Sequence, residues 1–112
     1  MSALTWTQLR PWGGSQHNAF EELCCQLAAH EPAPAGAEYR RVGVSDAGVE
    51  CIWRDPDGSV RAWQAKFFLG PPTAADWGQL DESVHQAIDH YSELTRYTIC
   101  LPIDRPDARL PD

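Results

Sequence analysis

The chain has 112 residues, 43% of them hydrophobic and 22% charged, a balance that suits one compact domain and excludes a disordered or low-complexity segment. A net charge of −7 argues against tight nucleic-acid binding by charge alone, because phosphate neutralisation by Lys and Arg supplies most non-specific affinity. No run approaches the ~20 apolar residues that span a bilayer, and no basic stretch followed by an apolar one opens the chain, so a cytoplasmic protein without membrane contact is expected.

In chain order, residues 1–14 carry Trp6, Pro11, Trp12 and two glycines and read as an irregular lead-in. Ser15 to about Ala29 reads as a helix, with Phe20, Leu23, Cys24, Leu27 and Ala28 at helical spacing on one face. Ser15 or Asn18 serves as its N-cap, and Asn18 with Glu21 fits a capping box. Residues 31–36 hold two prolines and a glycine and form a loop. Tyr39 to Val44 reads as a strand. Asp55-Pro56-Asp57-Gly58 is a turn between two apolar runs, because proline presets φ and glycine takes the positive φ that closes the turn. The runs, about Val49–Trp53 and Val60–Phe68, form a hairpin. Thr73 caps a second helix reaching about Leu94, with Trp77, Leu80, Val84, Ala87, Ile88, Tyr91 and Leu94 as its apolar stripe. Arg96–Leu101 is a continuous β-rich run, expected to be a buried central strand. Pro102 to Asp112 reads as an acidic, proline-rich tail or linker to further domains.

These elements run α-β-β-β-α-β, and the helix before the last strand allows a crossover that lays it parallel to a neighbour. The expected fold is α/β, with a mixed central sheet and a helix on each face. The whole of 1–112 is expected to be one domain with its core at about 15–101. The cysteines at 24, 25, 51 and 100 form no CxxC pair, so neither a disulfide framework nor a zinc site is expected, and they read as reduced, buried thiols. From Asp76 to Glu93 there are five acids and no Lys or Arg, whereas Arg40, Arg41, Arg54, Arg61 and Lys66 fall in the central third.

The hairpin carries the chemistry. Side chains alternate along a strand, so Gln64 and Lys66 share one face while Trp63, Ala65 and Phe67 take the other. Glu50, near the start of the partner strand, can converge on the Gln64 face. An acid, an amide oxygen and a lysine together can hold a divalent metal and stabilise developing charge. Asp46-Ala47-Gly48 precedes Glu50 and has the composition of a turn.

The element order and three short motifs resemble the PD-(D/E)XK nuclease superfamily, specifically its Mrr-like restriction endonuclease branch. The motifs are Phe20-Glu21 on the first helix, Asp46-x-Gly48-Val49-Glu50, and Gln64-x-Lys66 on the next strand. The branch usually has Asp where this chain has Glu50. The resemblance spans roughly Ser15 to Leu101 and implies a restriction-endonuclease-like αβββαβ core. It also implies a metal-dependent endonuclease that hydrolyses DNA phosphodiester bonds, in prokaryotic defence against phage or foreign DNA. Glu50, Gln64 and Glu21 would hold Mg²⁺ or Mn²⁺, hard ions that prefer oxygen. Lys66 would orient or deprotonate the attacking water and offset phosphate charge. Asp46 would support the site or face the substrate. His17, Arg41 and Lys66 would contact DNA, His17 near a helix N-terminus where amides attract anions. Partners implied are DNA and either a second copy of the chain or fused sensing and oligomerising domains.

Each residue also has a plain structural role. Glu21 serves a capping box, Asp46 a turn, and Gln64, Lys66 and Glu50 an amphipathic strand. The alternative function is a catalytically inactive copy of the fold used for nucleic-acid or protein interaction. A thiol enzyme using Cys24 or Cys51 lacks a base in the pattern.

Overall fold

The computed structural model describes residues 15–46, 48–68 and 72–102, with 43–46 as backbone. The chain forms α1 (Gln16–Ala29), β1 (Glu38–Asp46), β2 (Val49–Arg54), β3 (Val60–Ala65), α2 (Ala74–His90) and β4 (Leu94–Cys100). The four strands make one sheet in the order β1-β2-β3-β4. β1, β2 and β3 are antiparallel neighbours, and β4 lies parallel to β3. A parallel pair needs a crossover, and α2 supplies it. The fold is therefore α/β with a mixed sheet and two helices, in the expected order.

The turn after β2 closes as its residues dictate. The Gly58 amide donates to the Asp55 carbonyl at 2.9 Å, and Gly58 takes φ +90. The Asp57 carboxylate accepts from the Ser59 amide and hydroxyl, which fixes the loop locally. Arg61 then grips Asp55 through two guanidinium nitrogens, at 3.1 and 2.9 Å, and donates to the Pro32 carbonyl. This pins the hairpin base to the loop after α1.

Each helix covers one face of the sheet. On the α1 face, Cys25 and Ala28 pack on Cys51 and Trp63, and Phe20 and Cys24 pack on Ala65. Tyr39 donates its hydroxyl to the Cys25 carbonyl and Trp53 its indole N–H to the Ala28 carbonyl, both at 2.7 Å. On the α2 face, Val49, Ile52, Val60 and Ala62 pack on Ala87 and Tyr91. Val49, Ile52 and Val60 lose essentially all solvent contact, and each contributes roughly 1.5–3 kcal/mol of burial. Ser15 caps α1 by accepting from the Asn18 amide. Thr73 and Asp76 form a reciprocal capping box on α2. Among the described residues no helix is long and apolar enough to cross a membrane.

Several expectations are corrected. Leu23 and Leu27 are 36% and 62% exposed. The sheet-facing row of α1 is Phe20, Cys24, Cys25 and Ala28, whose small Cys and Ala side chains let the helix approach the bulky Trp63. On α2, Trp77 and Ile88 are exposed, because contact runs through the narrower row Leu80, Ser83, Ala87 and Tyr91. That helix stops at His90, and Leu94 begins β4. β3 ends at Ala65 rather than Phe68, because Phe67 leaves the sheet to pack against Phe20 with ring centroids 5.6 Å apart. β4 pairs with β3 alone and is an edge strand among the described residues. Of the cysteines, 24, 25 and 51 are buried, but Cys100 is only half-buried. Pro102, the first residue of the expected tail, is buried. The rest of that tail and the 1–14 lead-in lie outside the described residues.

Candidate functional site

Glu50 and Gln64 meet near the end of the sheet. Extending the antiparallel register that sets Cys51 opposite Trp63 by one residue puts Glu50 opposite Gln64 at the end of the hairpin. Both side chains are buried, at 8% and 3% exposure. The Gln64 amide nitrogen donates to the Glu50 carboxylate at 3.3 Å and to the Ala65 carbonyl at 3.0 Å. Rotating the amide by half a turn would set its oxygen against the Ala65 carbonyl oxygen, so two acceptors fix its orientation. The Gln64 oxygen Oε1 is left buried and accepts no hydrogen bond among the described residues. A buried acceptor without a partner costs roughly 1–3 kcal/mol.

α1 brings a second carboxylate. At about 100° per residue, Glu21 falls between the directions of Ala28 and Cys25, on the side of the helix turned to the sheet. His17, one turn earlier, hydrogen-bonds the Glu21 carboxylate. Burial raises the Glu50 carboxyl to about 7, and the charge of Glu21 and a hydrogen bond to it push the same way. His17 and Lys66 oppose the shift through their positive charge. Glu50 thus stands in a field set by Glu21, His17 and Lys66 together. Lys66 is half-buried just past the end of β3, where its amide donates to the Cys100 carbonyl at 3.1 Å.

The other expected residues lie differently. Asp46 ends β1 and pairs with Val49 across the turn, and its side chain lies outside the described residues. Arg41, expected at nucleic acid, ion-pairs with Glu22 at 2.7 Å, and that contact holds the Glu22 carboxyl below its usual range. His17 is exposed at the N-terminal turn of α1, but its ring nitrogen is engaged by Glu21.

Two residues escaped the sequence reading. Tyr97 of β4 donates its hydroxyl to the Gly48 carbonyl at 2.5 Å. Burial, then the Glu50 charge, pushes the Tyr97 hydroxyl up to about 12. Ser83 of α2 is buried against Gly48. Together they clamp the turn that delivers Glu50. The signal available was Gly48 itself, which sits at φ +69 with space for no Cβ: an added carbon would lie 2.7 Å from the Ser83 carbonyl oxygen. Gly48→Ala is expected to cost roughly 2–4 kcal/mol, from backbone strain plus the clash. Urea unfolding checks this, and a loss below about 1 kcal/mol would show that the turn can move off α2.

The donors gathered here are two carboxylates and one amide oxygen, all hard oxygen ligands. Among the described residues no group of three or more His, Cys, Asp and Glu side chains is placed to hold a metal ion. The unpartnered Gln64 oxygen is the feature that a cation would satisfy. No family model, curated protein or solved structure matches the chain.

Proposed function

We propose that the chain is a metal-dependent nuclease domain that hydrolyses DNA phosphodiester bonds with Mg²⁺ or Mn²⁺ as cofactor. The observation that carries this reading is the buried, unpartnered Gln64 oxygen beside the Glu50 carboxylate. The α-β-β-β-α-β order supports it, because it brings Glu21, Glu50, Gln64 and Lys66 from three elements to one end of the sheet. This combination is what the resemblance to the Mrr-like restriction endonucleases implies, and defence against foreign DNA is the setting proposed with it.

Glu50 and Gln64 would hold the cation, with Glu21 approaching from α1. A bound divalent ion would supply a more acidic water and stabilise charge on the phosphate in the transition state. Lys66 would orient the attacking water and offset phosphate charge. Glu50 must lose its proton before it can act as a ligand, so the site gains cation affinity as pH rises through about 7. His17 holds the Glu21 carboxylate in place rather than free for other work. A net charge of −7 makes a second copy or a fused basic domain the proposed source of DNA affinity.

The charge and the high Glu50 pKa also favour a second reading, an inactive copy of the fold that serves as an interaction module. Incubation of supercoiled plasmid with the protein at pH 8 separates the two. Nicked and linear DNA should accumulate with Mg²⁺ and not with chelator. Intact plasmid after Mg²⁺ and Mn²⁺ have both been supplied selects the inactive module.

A further inference from the structure

The nuclease reading uses none of the four cysteines, yet the fold sorts them into two pairs. Cys24 and Cys25 are neighbours on α1, and Cys51 and Cys100 lie on β2 and β4. Cys25 packs with Cys51 in one cluster, and Cys24 packs with Cys100 in the other, with Cys100 bordering both. Four cysteines allow three pairings. Cys51 with Cys100 is excluded because β3 lies between their strands, a separation of about 9.6 Å that exceeds the ~7 Å reach of a disulfide. Cys24 with Cys25 is disfavoured because adjacent Cα atoms lie only ~3.8 Å apart, below the usual span.

Of the two cross-pairs that the packing clusters bring together, Cys25–Cys51 and Cys24–Cys100, the second is open to solution, since Cys100 alone among the four is only half-buried. We propose that Cys100 and Cys24 form a peroxide-reactive thiol pair, in which Cys100 is oxidised first and Cys24 resolves it to a disulfide. Cys100 packs against the cluster that holds Cys24, and the interaction between the two thiols pushes the Cys100 thiol down and the Cys24 thiol up. The Cys100 thiolate attacks one peroxide oxygen. An S–O bond forms, the O–O bond breaks, and the released hydroxide takes up the Cys100 proton as water. The Cys24 sulfur then attacks Cys100. The S–S bond forms, the S–O bond breaks, and hydroxide leaves with the Cys24 proton as a second water. Two thiols lose two electrons in total and one peroxide becomes two waters. The product ties α1, three residues beyond Glu21, to the strand whose Cys100 carbonyl holds the Lys66 amide.

The test treats the folded full chain with hydrogen peroxide, counts thiols, and maps links by peptide mass. Half of the thiols should disappear, with a Cys24–Cys100 linked peptide that dithiothreitol releases. Cys24→Ser should instead leave a sulfenic acid at Cys100 that dimedone traps, and Cys100→Ser should keep its three remaining thiols. A Cys25–Cys51 link in place of the expected one overturns the proposal. So does retention of all four thiols under peroxide that oxidises the urea-unfolded chain. If either serine variant fails to fold, the linked peptide from the unaltered chain still decides. Because the readout is covalent, failure of the nuclease reading leaves this test unaffected.

Discussion

Lys66→Ala is expected to lower Mg²⁺-dependent plasmid cleavage by about 10²–10⁴, the range for losing a group that handles a proton or developing charge in the transition state. The unfolding midpoint should scarcely move. Lys66 lies beyond the end of β3, is half-buried, and is tied to β4 through its backbone amide, which alanine keeps. Substitutions away from packed or paired groups usually change stability by no more than ~0.5 kcal/mol. Cleavage assays and urea unfolding on the same preparation therefore separate chemistry from folding. Equal cleavage by both proteins would remove Lys66 from the site. Loss of cleavage accompanied by unfolding would assign it a structural role.

The second large effect is on stability against pH. Folding raises the Glu50 carboxyl from 4.5 to about 7, chiefly through burial. Below about 4.5 the folded and unfolded chains both carry the proton, and this contribution to stability is fully present. Between 4.5 and 7 only the folded chain holds the proton. As pH rises through 7 the folded protein must ionise Glu50 among buried groups, and the contribution is lost. At ~1.4 kcal/mol per pKa unit, the loss is on the order of 3 kcal/mol. Glu50→Gln keeps an acceptor for Gln64 but cannot ionise. The variant should match the unaltered chain near pH 4.5 and exceed its stability by up to that amount at pH 8. The difference between the two urea-unfolding curves isolates Glu50 from every other titrating group. Parallel curves across this window would mean that Glu50 ionises in the fold as it does in water.

Much of the architecture was legible in the residues because it rests on local chemistry. Thr73 caps α2, and Gly58 closes the hairpin at positive φ, each within a few residues of sequence. The pleat alone placed Glu50 and Gln64 on one face, and the hairpin register then set them opposite each other. What local pattern could not supply was how each helix would rotate against the sheet. Leu23, Leu27, Trp77 and Ile88 satisfied helical spacing, yet the close approach of α1 to Trp63 and of α2 to Gly48 favoured rows of Cys, Ala and Ser. The Arg96–Leu101 run looked like a central strand because apolar continuity does not distinguish centre from edge. The engagement of Arg41 by Glu22 depends on α1 lying beside β1, which no spacing in either segment reveals. Tyr97 was missed for the same reason, since its partner Gly48 is 49 residues away.

Glu50 and the Gln64 oxygen, which has no partner among the described residues, are proposed to form one cation site. Calorimetric titration of Mg²⁺ into the protein at pH 8 tests it most directly, with Glu50→Gln as the control. One saturable site is expected, weakened at pH 6 where Glu50 is protonated, and absent from the variant. Equal Mg²⁺ binding by the unaltered chain and Glu50→Gln at pH 8 would contradict it.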